Sequence, residues 1–230
     1  MATIDEQAEA YESSRARVDA LTRELDVRRL ATNVPCCPKW SVKDLVGHLT
    51  GVLEDRVAKR LPSEGFEEWT SAQVARHRDE PIDVVLDTWR GLPVDRNDDV
   101  PSLTSLSFDV VTHEHDAFHA LGLPGDHDTF SVRVGSERAQ GRMSSMLTEA
   151  GAPGVRLATE DGEQLVEGGT APIGLVTTRY DFMRLVTARV SRAQATAMSW
   201  DGDATPVLEA LFADGFFTLQ PVDVLEADAA

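Results

Sequence analysis

The chain has 230 residues, with 39 Asp and Glu against 22 Lys and Arg and a formal charge of −17. Such a surface repels a phosphate backbone, which excludes nucleic acid as a partner class. With 42% hydrophobic residues and no apolar run near the roughly 20 that a membrane-spanning helix needs, the sequence describes one large or two modest globular domains and no membrane protein.

Residues 1–14 are acidic and polar where a secretory signal is basic and then apolar, so a cytoplasmic protein is expected. Thr3 and Glu6 have the form of a capping box, and Tyr11, Val18, Leu21 and Leu25 follow at helical spacing, predicting a first helix up to about Val27. Prolines break the chain over residues 33–38. The adjacent Cys36 and Cys37 make a poor disulfide and are expected reduced. Cys37, shortly before the next helix, reads either as a buried thiol or as one activated by the helix dipole.

Ser41 is the N-cap expected of a second helix, with Asp44 at its third position and Val42, Leu45, Val46, Leu49 and Leu53 as its core stripe. His48 sits on the edge of that stripe. Residues 64–79 read as a charged loop with a short helix after Ser71. Pro81 suits the first position of a third helix, whose stripe is Ile82, Val85, Leu86 and Trp89 and whose end is near Gly91. A polar loop over 93–101 leads to a fourth helix, Leu103 to Leu121, with its stripe at Leu103, Leu106, Val110, Ala117 and Leu121.

That fourth helix carries more chemistry than packing requires. Asp109 and His113 are four residues apart and stack on one face beside the stripe; Asp116 continues the same edge, while His115 points away and reads as surface. An imidazole and a carboxylate side by side suit zinc or a similar divalent ion, with a third ligand from elsewhere. The same spacing also describes an ion pair on a solvated face, and His48 alone also describes a half-buried histidine with one hydrogen-bond partner. If the second and fourth helices are neighbours in a bundle, His48, Asp109 and His113 converge beside the core.

Beyond Pro124 and Gly125 the texture changes. A helix is predicted over Val134 to Ala150, stopped by Gly151; strands over 155–159 and 164–167 are joined by the Asp161-Gly162 turn; a helix is predicted over 173–190 and a last strand over 216–219. The glycines between 162 and 174 lack the strand-turn-helix setting of a phosphate loop. The expected fold is α+β, a four-helix bundle over residues 1–125 followed by a small α/β domain over 126–230.

Residues 37–49 (CPKWSVKDLVGHL) resemble the segment opening the second helix in the mycothiol-dependent maleylpyruvate isomerase family, a branch of the DinB/YfiT-like four-helix metalloproteins. Residues 108–116 (FDVVTHEHD) are similar to that family's second metal-ligand helix, and residues 180–195 and 200–203 resemble its sterol-carrier-like C-terminal domain. The resemblance implies a DinB-like metal-binding bundle followed by a sterol-carrier-like domain, with His48, Asp109 and His113 as ligands. The family pattern has glutamate where this chain has Asp109, one methylene shorter, which calls for a compensating shift of the helices.

The resemblance further implies a divalent metal, zinc by ligand type, and mycothiol as thiol cosubstrate. A metal-activated thiolate would then perform S-transfer or isomerisation on a small electrophile, in a monomer or homodimer. In that reading Asp116 orients a ligand from behind. The second domain walls the cleft, and Arg184 and Arg189 either clamp a substrate carboxylate or pair with acidic residues of the protein. Two rival readings are a non-catalytic binding protein for a small apolar molecule or a partner, with a vestigial metal site, and a hydrolase with Asp116 or His119 as general base.

Overall fold

The capping box at Thr3 forms as read: its hydroxyl accepts from the Glu6 amide and the Glu6 carboxylate accepts from the Thr3 amide. It opens α1 (Ile4–Arg23), which stops short of Val27 because Asp26 caps a separate turn, α2 (Val27–Leu30). The chain is described here by a computed structural model covering residues 2–60, 65–96 and 102–224. It divides into two compact units, one ending at Asp126 and the other starting at His127.

In the first unit the prolines after Asn33 do not simply break the chain. They shape an antiparallel hairpin of β1 (Asn33–Val34) and β2 (Cys37–Ser41). Ser41 then caps α3 (Val42–Val57) through a second capping box with Asp44. Residue 64 lies outside the described residues, and the short helix expected after Ser71 is the second half of a longer one, α4 (Phe66–His77), which takes the place of most of the expected loop. Its buried stripe of Thr70, Gln73, Val74 and His77 is mostly polar, so hydrophobic periodicity gives no sign of it. Pro81 stands just before α5 (Ile82–Gly91) rather than inside it. Of the loop expected over 93–101, residues 97–101 lie outside the described residues.

Ser102 caps α6 (Leu103–Ala120). Helix α1 packs on α5 and α6, and α3 packs on α5 and α6, closing a four-helix bundle; α4 lies against α3, and the hairpin touches α3 and α6. Enclosed in this way, α6 is buried continuously from Val110 to Ala117. His115, expected on the surface, is therefore 5% exposed. The bundle core includes Leu45, Leu49, Leu53, Leu103, Leu106 and Trp89, all essentially inaccessible. None of the described helices is long and apolar enough to cross a membrane.

Trp89 donates its indole N–H to the Tyr11 hydroxyl at 2.8 Å with both side chains buried. Burial pushes the Tyr11 phenol above its ordinary pKa, so it stays neutral and accepts. Tyr11→Phe leaves that N–H unsatisfied, and a loss of about 1–3 kcal/mol in urea unfolding is expected. An unchanged midpoint would show that the bond contributes nothing net.

The second unit opens with α7 (Phe130–Ala150), four residues earlier than expected because Thr129 is its cap. It closes at Gly151, whose φ of 65° is the left-handed stop the sequence calls for. Strands β3 (Pro153–Thr159) and β4 (Gly162–Val166) pair antiparallel as read, but the turn falls on Glu160 and Asp161, and Gly162, with φ of 97°, opens β4 opposite Thr159. The helix expected over 173–190 is an error in two parts. Residues 170–176 form β5 (Thr170–Val176), parallel to β3, and α8 (Arg179–Val186) starts only where Thr178 caps it.

After α8 come α9 (Arg192–Ala197), β6 (Ser199–Asp201) and α10 (Thr205–Leu211). The sheet order is β4-β3-β5-β6. The expected strand over 216–219 does not form, since β6 already pairs with the free side of β5. Phe216 and Phe217 instead lie beneath the guanidinium of Arg142, at 5.3 and 4.8 Å from the ring centres. The architecture is the expected α+β, a helical unit followed by a unit with a small sheet.

Candidate metal centre

Helices α3 and α6 bring together the three residues that the sequence placed on separate stripe edges. His48 Nε2 lies 3.4 Å from Asp109 Oδ2, and His113 Nε2 lies 3.5 Å from Asp109 Oδ1. The two imidazole rings meet edge to face with centres 5.3 Å apart. These separations are long for direct hydrogen bonds, which cluster near 2.9 Å. Each is close to the spacing of two donors on one ion, about 3.3–3.4 Å for bonds of about 2.0–2.1 Å, with a different oxygen of Asp109 turned to each imidazole. The donor set therefore fits a divalent ion such as zinc. Both histidines are almost wholly buried, whereas the Asp109 side chain is 32% exposed, so the group opens to solvent on its carboxylate side.

Each imidazole is held from behind at its other nitrogen. His113 Nδ1 donates to Asp116 Oδ2 at 2.9 Å, so Asp116 stands where the sequence reading put it. The Cys37 thiol, on β2, reaches the same carboxylate oxygen at 3.9 Å, and Cys37, His113 and Asp116 form a second cluster sharing His113. Neither cysteine is in a disulfide, and both are half-buried rather than enclosed. Burial alone pushes the His113 imidazolium down. The Asp109 charge and the bonds to Asp116 and Cys37 outweigh it and lift the pKa to about 10.

On the other side, His48 Nδ1 meets Gln73 Oε1 at 2.9 Å, and Gln73 Nε2 donates to Asp55 Oδ2 at 2.8 Å. Asp55 Oδ1 accepts from Arg76 at 2.6 Å and from Arg60 at 2.7 Å. Burial would push the Asp55 carboxyl up, but Arg76, Gln73 and Arg60 hold it below the usual carboxylate range. The Trp40 ring covers both imidazoles, its centre 4.7 Å from that of His48 and 5.7 Å from that of His113.

Gln73, Asp55 and Trp40 escaped the sequence reading. Trp40 had a usable signal, an aromatic residue immediately before the helix cap. Gln73 had none: the short helix read after Ser71 contains it, but no apolar stripe marks its buried face.

Arg184 and Arg189 belong to the second unit. Arg184 is buried and donates to the carbonyls of Arg189 and Val224 at 3.1 and 3.2 Å, and to Asp181 at 3.3 Å. A substrate clamp at Arg184 would have to break these bonds. Arg189 donates to the Thr187 carbonyl at 2.8 Å.

Comparison with known proteins gives two kinds of likeness. Residues 11–61 match the family described as mycothiol maleylpyruvate isomerase N-terminal domain, a window that holds Trp40, His48 and all of α3. Two crystal structures of mycothiol-dependent maleylpyruvate isomerase share the fold. One, of a histidine-to-alanine mutant, has a TM-score of 0.59, and the other 0.56. Each is 12% identical to this chain over 90% of it and 99% of the other chain. No curated protein sequence gives a significant match. The resemblance read from residues 37–49 is thus borne out by the family match, and at 12% identity the structural likeness is one of fold.

Proposed function

We propose that this chain is a metal-dependent thiol enzyme of the mycothiol-dependent isomerase type, with His48, Asp109 and His113 holding a divalent ion. The observation that carries the reading is the convergence of three potential donors, with imidazole-to-carboxylate separations of 3.4 and 3.5 Å that are long for hydrogen bonds and suit a shared ion. The family match over α3 and the shared fold support mycothiol as the thiol and a small electrophile as the second substrate. A divalent ion held there would supply Lewis acidity that favours a thiolate at neutral pH, the nucleophile for S-transfer or thiol-assisted cis–trans isomerisation.

The protein's own residues prepare that chemistry. Asp116 and Gln73 turn the two imidazoles so that both Nε2 lone pairs face Asp109. Trp40 covers the rings and keeps water from their faces. His48, Asp109 and His113 would hold the ion, and the part-exposed side of Asp109 would give a thiol its approach. Hydrolysis with Asp116 as general base fits less well, because its Oδ2 is bonded to His113 Nδ1.

The test is elemental analysis of purified protein beside His48→Ala and His113→Ala. About one equivalent of zinc or another divalent ion in the wild type, lost in both variants, is expected; the loaded protein should then consume mycothiol with an electrophilic substrate. A wild type that takes up no ion would end the enzyme reading.

A further inference from the structure

The bonds behind His48 form a directed chain that runs away from the centre into the packing of α3 on α4. Asp55 is 2% exposed and Gln73 is fully buried, so neither can trade its partner for water. The direction of every bond follows from donor chemistry. An ionised carboxylate only accepts, so Asp55 Oδ2 takes the –NH2 of Gln73 and the amide cannot reverse. Gln73 Oε1 is thereby turned to His48, and an oxygen facing Nδ1 requires the proton there. The remaining lone pair falls on Nε2, the nitrogen that faces Asp109.

The fold makes room for this chain at one point. A Cβ at Gly51 would lie 2.7 Å from the Cβ of Gln73, and the Gly51 carbonyl accepts from Arg76 at 3.0 Å. The absent side chain lets α4 approach α3 closely enough for Gln73 to span from Asp55 to His48. Arg76 and Arg60 balance the buried charge of Asp55.

We propose that Asp55 and Gln73 are positioning residues for the metal centre, a carboxylate–amide relay that fixes His48 as the Nδ1–H tautomer. The proposal rests on the reading of His48 as a ligand. It adds that α4, which contributes no donor of its own to the ion, sets the affinity through one amide. Asp116 does the same for His113 directly, so the two ligands are set by independent devices on different helices.

The experiment is zinc competition against a chromophoric chelator, joined to the 15N imidazole NMR spectrum of the metal-free protein at mildly alkaline pH. Gln73→Met keeps the volume and removes the acceptor. Its zinc affinity is expected to fall about 10–100-fold with unchanged circular dichroism, and the His48 Nδ1–H signature should be lost. Asp55→Asn offers a donor to Gln73, allows the amide to reverse and should move the His48 proton to Nε2.

Wild-type zinc affinity in folded Gln73→Met, or an Nε2–H signature for His48 in the wild type, overturns the relay. If Gln73→Met does not fold, Asp55→Asn decides by the same two readouts. If the wild type binds no zinc, the functional reading fails on that ground alone. The relay is then judged by the imidazole spectrum: an Nδ1–H signature that the variants abolish upholds it, and one they leave in place refutes it.

Discussion

Replacing Asp109 with asparagine is expected to lower divalent-metal affinity by more than about 100-fold, a larger loss than any residue behind the ligands should cause. The reason is geometric as well as electrostatic. One carboxylate faces both imidazoles, Oδ2 toward His48 Nε2 and Oδ1 toward His113 Nε2. An asparagine of the same shape must present its –NH2 to one of them, placing a donor where a lone pair is required, and it removes the only anionic donor of the set.

Glutamate, the residue of the family pattern, is expected to bind more weakly than aspartate here. Its extra methylene carries the carboxylate about 1.5 Å further, whereas each imidazole already faces an Asp109 oxygen at 3.4 or 3.5 Å, near the donor spacing of about 3.3–3.4 Å around one ion. The spacing of α3 and α6 thus suits the shorter side chain. Competition titrations on Asp109→Asn, Asp109→Glu and wild type decide the point. Tighter binding by Asp109→Glu would mean that the helices are set for the longer residue and that the donor geometry argued above is wrong.

The contrast between Asp109 and Gln73 shows which parts of this centre can be read in a sequence. Asp109 and His113 were legible because their relation is local: four residues on one helix must stack, whatever the rest of the fold does. His48 was legible as the odd residue on an otherwise apolar stripe that Ser41 visibly starts. Gln73 depends on a helix whose buried face is Thr, Gln, Val and His, so hydrophobic periodicity could not report it. Its partner Asp55 looks like any charged residue late in an amphipathic helix.

His115 was misplaced for a related reason. A stripe analysis assigns one inner face to α6, but α1, α3 and the hairpin enclose it on several sides. The strand at 170–176 was lost because a short apolar run has no period that separates strand from helix. The cue was Thr178, whose hydroxyl accepts from the Asp181 amide and marks where the helix begins. The wrongly expected strand at 216–219 was a judgement on composition alone, two phenylalanines and a leucine, which says nothing of whether a sheet edge is free.

The metal-free protein is expected to lose stability as the pH rises from about 6.5 to about 10, and His113 is the residue responsible. Burial disfavours its imidazolium, but Asp109, Asp116 and Cys37 favour it more, and its folded pKa is about 10 against an ordinary value of 6.5. A group whose pKa is raised on folding binds its proton more tightly in the native state. Its contribution is therefore complete below about 6.5, declines through the interval and is gone above about 10. A contribution of the order of a few kcal/mol is expected for so large a rise.

Urea unfolding of chelator-treated protein across this range should show the decline, and His113→Gln should flatten it. An equal slope in both proteins would place the pH dependence elsewhere. With His113 as a ligand, as proposed, metal is expected to reverse the trend, because the ion and a proton would compete for the same nitrogen. Zinc affinity should rise over the interval in which the metal-free protein weakens. Calorimetric titrations near neutral pH, in buffers of different ionisation enthalpy, should report about one proton released from His113 per ion bound; release of none would show that the ion does not use Nε2 of that residue.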